Sequence, residues 1–407
     1  MNLSNLWPFR RKEVTVLDLA AEILHLGASK SGQSVTVTNA LKVATVLACV
    51  RVISEGVAQV PFKLLRRDGR NKLEVYDHPL WDILHRKPND VATSFGFRET
   101  LVIHAALTGN GYAFISRGMG GKVLELINIE PGAVRVEFAD TMGVRPRYFI
   151  TGRTGGSREF PAETILHIQG PSWNGLAGMD AIRQAREAIG LAIATEEAHA
   201  RLHANGARAG GMLSVEGKLD DAQFKSLRKW IEDNYVGGDN AFRTMILDRS
   251  AKYVPMAMSG VDAQHLETRR YQVEEICRIF RVMPIMVCSN DKASTYAGAE
   301  QNFLAHVVHT LGPWFERIEQ AIDCQLLTAA ERRAGYYVKL EERGLLRGAL
   351  KDTAEYLYKL AGIGIMTRNE AREMLDLNPL ADLDEPLTPI NLSAELAATQ
   401  KKGSANA

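Results

Sequence analysis

The chain has 407 residues, 46% of them hydrophobic and 24% charged, a composition that buries a sizeable core and divides into about two or three domains. Its 49 basic and 48 acidic side chains leave a net charge of +1, which excludes the strongly basic character of a free DNA-binding domain, where phosphate contacts dominate affinity. Cys49, Cys277, Cys288 and Cys324 stand far apart in apolar stretches without metal-ligand or redox spacing and read as free buried thiols, and no apolar run approaches the roughly 18 residues of a membrane span.

Residues 1–35 form a loosely patterned arm in which Gly27, Ser29, Ser31, Gly32 and Ser34 crowd together. Leu6, Trp7 and Phe9 precede Arg10, Arg11 and Lys12, the reverse of a secretory signal, so the protein is expected to be made and used in the cytoplasm. Arg10 to Lys12 read as a solubilising tail before a nucleic-acid contact. From Asn39 a helix is expected, with Leu41, Val43, Val46, Leu47, Val50 and Ile53 at helical spacing and Pro61 beyond its end. Phe62–Arg67, the turn Asp68-Gly69 and Leu73–Tyr76 read as a hairpin. Helices follow at Leu80–His85 and Ser94–Thr108, with Gly109 as a C-terminal stop. Alternation then predicts strands at Tyr112–Arg117, Val123–Ile129, Val134–Phe138, Arg147–Ile150 and Ile165–Gln169, an antiparallel meander.

Asp180 can cap a helix running to about Asn205, with Ile182, Ala185, Ile189, Ala192 and Ile193 as its stripe and Gly206 as its stop. Such a helix is about 40 Å long, unusual for a compact domain. Residues 206–259 read as a small unit. Its strands are Gly211–Val215, Thr244–Leu247 and Tyr253–Met258. Its helix starts at Asp220 with Gln223, and buries Phe224, Leu227, Trp230 and Ile231. A second long helix spans Asp262–Val282, carrying Leu266, Val273, Ile276, Cys277 and Phe280, and Pro284 ends it. The polar loop from Ser289 to Tyr296 leads to a third helix over about Ala299–Leu327. Its stripe is Leu304, Val307, Leu311, Trp314, Ile318, Ile322 and Leu326, and Pro313 predicts a kink. Tyr336–Leu340 is a strand, 347–377 a helical region, and the tail from Asp382 is proline-punctuated.

Several fragments imitate catalytic motifs. Gly118, Gly120, Gly121 and Lys122 suggest a phosphate loop, but Val123 follows the lysine where Ser or Thr is required, and a hairpin turn is the better reading. His199 and His203 lie one helical turn apart beside Glu196 and Glu197 without a third ligand, and His306 and His309 are similarly placed; a solvated or interface face accounts for both pairs. Ser226 and Lys229 have acyl-enzyme spacing without the companion motifs. No catalytic residue, metal or cofactor is expected. Taken alone, these residues leave open an oligomeric DNA- or protein-binding scaffold of non-viral role.

Five strings in order across residues 36–391 are similar to the portal, or head–tail connector, proteins of long-tailed bacteriophages and prophages. They are TNALKVATVLACVRVISEGVAQVP at 38–61; HPLWDILHRKPN at 78–89 with LTGNGYAFISR at 107–117; NGLAGMDAIRQA at 174–185 with NGARAGGML at 205–213; EEICRIFRVMPIMV with STYAGAEQ at 294–301; and MTRNEAREMLDLNPL at 366–380. Gly298-Ala299, Met283-Pro284 and Val287-Cys288 depart from the more frequent family pattern.

The resemblance implies an α+β portal fold: an α/β wing over 36–175, stem helices at 176–205 and 260–282, a small α/β clip at 206–259 and a tunnel loop at 283–298. A kinked helix and return to the wing would cover 299–346, a helical crown 347–381 and a flexible tail 382–407. It implies a homo-oligomeric ring, a dodecamer in type, at one capsid vertex in the virion, assembled in the host cytoplasm. The implied partners are double-stranded DNA held without sequence specificity, the terminase large subunit, the major capsid protein and head–tail adaptor proteins. Terminase, a separate protein, would hydrolyse the ATP. Asn290, Asp291, Lys292, Ser294, Thr295 and Tyr296 would face the DNA: Lys292 toward phosphate, and Asn290, Ser294 and Thr295 toward backbone oxygens without reading bases.

Overall fold

The computed structural model describes residues 29–138, 146–152, 155–204, 211–214, 220–235, 252–255, 261–288, 296–342, 345 and 350–387. The chain divides into two compact units, one of residues 1–47 with 182–279, the other of 48–181 with 280–407.

Helix α1 covers Ala44–Ala58. It begins later than the apolar spacing predicts, because a separate turn at Val37–Ala40 precedes it, capped by the Thr36 hydroxyl on the Asn39 N–H. Val46, Cys49, Val50, Ile53 and Val57 are buried, whereas Leu47 lies off this face and is exposed. Strands β1 (Phe62–Asp68) and β2 (Asn71–Glu74) form the expected hairpin. Helix α2 (Pro79–His85) is capped by His78, whose Nδ1 accepts the Leu80 N–H. Helix α3 (Ser94–Thr108) is capped by Thr93 and stops at Gly109, which takes φ 75°.

Six strands follow: β3 (Asn110–Arg117), β4 (Val123–Ile129), β5 (Val134–Phe138), β6 (Pro146–Thr151), β7 (Ser157–Pro161) and β8 (Ile165–Gln169). They do not make one meander. They make two antiparallel sheets, β4-β3-β8 and β5-β6-β7. Strand β8 returns to the free side of β3, setting Phe114 opposite Ile165, and β7 sets Phe160 opposite Tyr148. The apolar faces meet around buried Tyr112, Tyr148 and Ile165, with Phe114, Ile129, Val134, Val136, Ile150 and Phe160 packed against them. Alternation placed these apolar side chains correctly; which strand pairs with which is settled by the face each must bury.

In the other unit, a single turn at Ala181–Gln184 is followed by helix α4 (Arg186–Ala204), so the helix expected from Asp180 is interrupted at Ala185. Strands β9 (Gly211–Ser214) and β10 (Lys252–Pro255) pair antiparallel, Leu213 opposite Tyr253, with helix α5 (Asp221–Tyr235) between them in sequence. The strand expected at Thr244–Leu247 lies outside the described residues. Phe224 and Trp230, expected to be buried, are 55% and 41% exposed, Leu227 is half-buried, and the Ile231 side chain lies outside the described residues. Helix α6 (Val261–Phe280) is tied to α4 by buried Gln272, whose amide donates to the Thr195 hydroxyl at 3.3 Å.

The second unit resumes with helix α7 (Tyr296–His306), one π-helical turn at Val307–Leu311 and helix α8 (Gly312–Gln325). The irregularity expected at Pro313 therefore sits one turn earlier. Proline has no N–H to give, and it falls in the first turn of α8, where that donor has no intrahelical use. Helix α9 (Ala329–Arg333) leads to strand β11 (Tyr336–Leu340), which pairs with β1, Val338 opposite Leu64, and completes the sheet β11-β1-β2. Helices α10 (Leu350–Gly362) and α11 (Arg368–Met374) close the described chain. No helix among the described residues is long and apolar enough to cross a membrane.

Candidate functional site

Of the residues singled out in the polar loop, Asn290, Asp291, Lys292, Ser294 and Thr295 lie outside the described residues, and Tyr296 is described only as the start of α7. What is described is how the loop is launched. Helix α6 is ended by Arg281 at φ 57°, Pro284–Val287 make one 3-10 turn, and Cys288 adopts φ 59°. Two non-glycine residues in the left-handed region within one short connection mark a backbone held by its surroundings. One hold is visible: the hydroxyl of buried Thr310, in the π turn, donates to the Arg281 carbonyl at 2.7 Å. The loop entrance is thus fastened to the irregular turn of the helix that follows the loop. Arg317 lies with its guanidinium 5.2 Å from the centre of the Trp314 ring, and its pKa is lowered by burial and then by the charge of Arg281.

The similar strings have structural roles that their spacing alone does not reveal. In LTGNGYAFISR and NGLAGMDAIRQA they meet in space. The Asn110 Oδ1 accepts the Gly178 N–H at 2.7 Å while its Nδ2 donates to the Gly178 carbonyl at 3.2 Å. A Cβ on Gly178 would stand 1.9 Å from the Gly109 carbonyl oxygen, so only glycine permits this approach. Asn174 shapes the same turn by accepting the N–H groups of Leu176 and Ala177 at 2.9 and 3.1 Å. In MTRNEAREMLDLNPL, Thr367 and Glu370 form a capping box. Buried Asn369 accepts the Leu380 N–H and donates to the Leu380 carbonyl, and Arg372 donates to the Asn378 carbonyl. In HPLWDILHRKPN, His78 caps α2 and Asn89 donates to the Leu126 carbonyl at 2.7 Å.

Side chains from distant segments close several sheet edges. On the outer edge of β2, Asn378 accepts the Lys72 N–H at 2.7 Å and donates to the Lys72 carbonyl at 3.0 Å. Gln325 accepts the His167 N–H at 2.7 Å on the outer edge of β8. Asp323 and Glu319 accept the N–H groups of Val338 and Leu340, each at 2.8 Å, on the outer edge of β11. Burial raises the pKa of both carboxyls, opposed by these same N–H donors; Lys339 also opposes it at Glu319, while Arg332 and Lys339 do so at Asp323.

His167 is buried between Tyr148, whose hydroxyl lies 3.1 Å from Nδ1, and Asn110, whose Oδ1 lies 3.0 Å from Nε2. Because Oδ1 already accepts the Gly178 N–H, it acts as an acceptor, so Nε2 carries the proton and Nδ1 accepts from tyrosine. Burial lowers the His167 pKa to about 4.

The four thiols, all expected to be buried, divide: Cys49 and Cys277 are buried, whereas Cys288 follows the 3-10 turn and Cys324 lies near the end of α8, both exposed. The motif-like fragments resolve structurally. Gly118 to Lys122 is the turn between antiparallel β3 and β4, with no helix after the lysine. His306 is buried and His309 exposed, so that pair does not converge. Ser226 and Lys229 are exposed on α5. The His203 side chain lies outside the described residues. Among the described residues no three His, Cys, Asp or Glu side chains gather as metal ligands.

Residues 44–376 match the family described as phage portal protein. The probable portal protein of Streptomyces phage phiC31 is 32% identical over 382 residues, 91% of this chain and 83% of that protein. The portal protein of Enterobacteria phage HK97 is 29% identical over 347 residues, 84% of this chain and 80% of that one. Among solved structures, a chain from the virion of a native gene transfer agent particle shares the fold with a TM-score of 0.61 at 22% identity, covering 89% of this chain and 99% of that one. A portal protein of the HK97 family from Corynebacterium diphtheriae gives a TM-score of 0.56 at 15% identity, covering 77% and 97%.

Proposed function

The chain belongs to the phage portal protein family, and from that we propose that its copies close into a ring, a dodecamer in type, forming the channel for double-stranded DNA at one capsid vertex. The observation that carries this reading is the family match across residues 44–376, and the fold shared with a chain of a gene transfer agent particle agrees with it. Identical subunits related by rotation meet through heterologous contacts, which leave part of each subunit's apolar surface uncovered until the ring forms. Exposed Phe224 and Trp230 on α5 suit such a contact.

In this reading the wing is 36–175, the stem α4 and α6, the clip 206–259, the tunnel loop 283–298 and the crown 347–381. Asn290, Asp291, Lys292, Ser294, Thr295 and Tyr296 face the DNA. The balanced charge of +1 suits a conduit, because translocation needs contact that is weak, blind to sequence and quickly released. The protein's work is positional: it holds the path, and the terminase large subunit, docked at the clip, supplies the ATP hydrolysis. Head–tail adaptors take that end afterwards, and the wing meets the major capsid protein.

Negative-stain electron microscopy of the purified full chain, with mass by light scattering, tests the reading. Rings of about a dozen subunits with a central hole are expected. A compact dimer that binds metal would overturn it.

A further inference from the structure

Three of the outer strands in the second unit, β2, β8 and β11, have backbone groups engaged by a side chain from a distant segment, and the Leu126 N–H on β4 is taken by the Pro88 carbonyl. The sheet β5-β6-β7 differs. Strand β7 is short, ends in Pro161, and has that residue's carbonyl taken by the Thr164 hydroxyl. Strand β5 has no such guard among the described residues.

Its hydrogen-bond parity can be read off. The Val134 N–H turns back to the Pro131 carbonyl, so Val134 does not bond to β6. Antiparallel strands exchange bonds at every second residue, so Arg135 and Glu137 bond inward to β6, while Val136 and Phe138 present theirs outward. Pro146 and Pro161, which have no N–H, then fall opposite Phe138 and Arg147 in non-bonded pairs, as this parity requires.

We propose that the outward edge of β5 pairs with the same edge of a second copy of this chain, antiparallel, across a two-fold axis through Val136. The strand is self-complementary in that register. Val136 meets Val136, exchanging two N–H···O bonds, and the Phe138 N–H meets the Val134 carbonyl. Arg135 stands opposite Glu137 of the second copy, twice, on the solvent face of the sheet. Within one copy Arg135 and Glu137 are already 3.2 Å apart, so pairing makes a square of alternating charge. On the inner face, half-buried Val134 and Val136 gain apolar neighbours. This contact is isologous, unlike the heterologous contacts of a ring, and it joins free subunits or subunits of two rings.

The test uses the full-length chain. Light scattering reads the two-fold association as a concentration-dependent doubling of mass, and hydrogen exchange reads it as slowing at the Val136 and Phe138 amides as concentration rises. Glu137→Arg places arginine opposite arginine twice and weakens the association at least tenfold. Arg135→Glu combined with Glu137→Arg restores opposite charges and returns the wild-type mass and exchange. Both side chains are exposed, and circular dichroism verifies that each variant folds. Equal association in the single and double variants overturns the proposal, as do Val136 and Phe138 amides that exchange at one rate at every concentration. Rings are scored separately by microscopy, so loss of the ring and loss of the two-fold pair are distinct results.

Discussion

One carboxylate oxygen of Glu319 on α8 accepts the Leu340 N–H on β11 at 2.8 Å, and the other takes the Lys339 ammonium at 2.9 Å. A helix side chain thereby supplies what a fourth strand would have supplied. Glu319→Ala leaves that N–H buried without an acceptor and is expected to cost about 1–3 kcal/mol, while Glu319→Gln keeps the acceptor and costs less. Thermal unfolding followed by circular dichroism ranks the two variants; equal losses would refute the assignment.

His167 gives a pH dependence with a defined sign. Its folded pKa of about 4 lies below the ordinary value of 6.5, so between these limits the unfolded chain binds a proton that the folded chain refuses. Stability from this residue is complete above about pH 6.5, falls as pH drops toward 4, and amounts to about 3 kcal/mol over the window. His167→Gln should flatten this part of the melting-temperature profile. An unchanged slope between pH 6.5 and 4 would show that another group controls it.

The approach of Gly178 to the Gly109 carbonyl leaves no space for a methyl group. Gly178→Ala is expected to cost about 2–3 kcal/mol through forced backbone displacement. Gly132→Ala, with nothing within 4 Å of the added carbon, is the matched control and should melt near wild type.

Asn378 closes the edge of β2, beside the exposed ion pairs of Lys72 with Asp376 and Arg70 with Asp384. Asn378→Ala should accelerate hydrogen exchange at the Lys72 amide and destabilise by about 1–2 kcal/mol. Exchange at the Leu64 and Leu65 amides, in the central strand β1, should change little.

Local signals in the sequence located most elements, because apolar spacing and capping chemistry act over a few residues. Helix α3 runs over Ser94–Thr108 and stops at Gly109 as expected, and Val123–Ile129 is a strand to the residue. Strand β7 was not legible: Ser157, Arg158 and Glu159 face water on a shallow sheet, leaving Phe160 as its one large apolar side chain. The division of the meander into two sheets depends on β8 returning to β3, a pairing that no local pattern encodes. For the candidate site, Asn290 to Tyr296 stood out by polarity and by family resemblance. The holds on the loop entrance, Arg281 and Thr310, carry no signal in sequence, since a left-handed arginine and a threonine in a helix look ordinary there.

The π turn at Val307–Leu311 holds one residue more than an α-helix uses for the same advance. It is therefore the natural scar of a single inserted codon. Aligned against a relative whose helix runs straight, this protein should show one extra residue within 307–311, opposite a gap in the relative. Because the widened turn absorbs that residue, α7 and α8 keep the phase of an uninterrupted helix, whereas a residue removed from a regular stretch of α7 would turn everything upstream by about 100° about the helix axis. Chimaeras that exchange the segment before residue 307 between such relatives should therefore keep loop and helix in phase whether or not the extra residue travels with it.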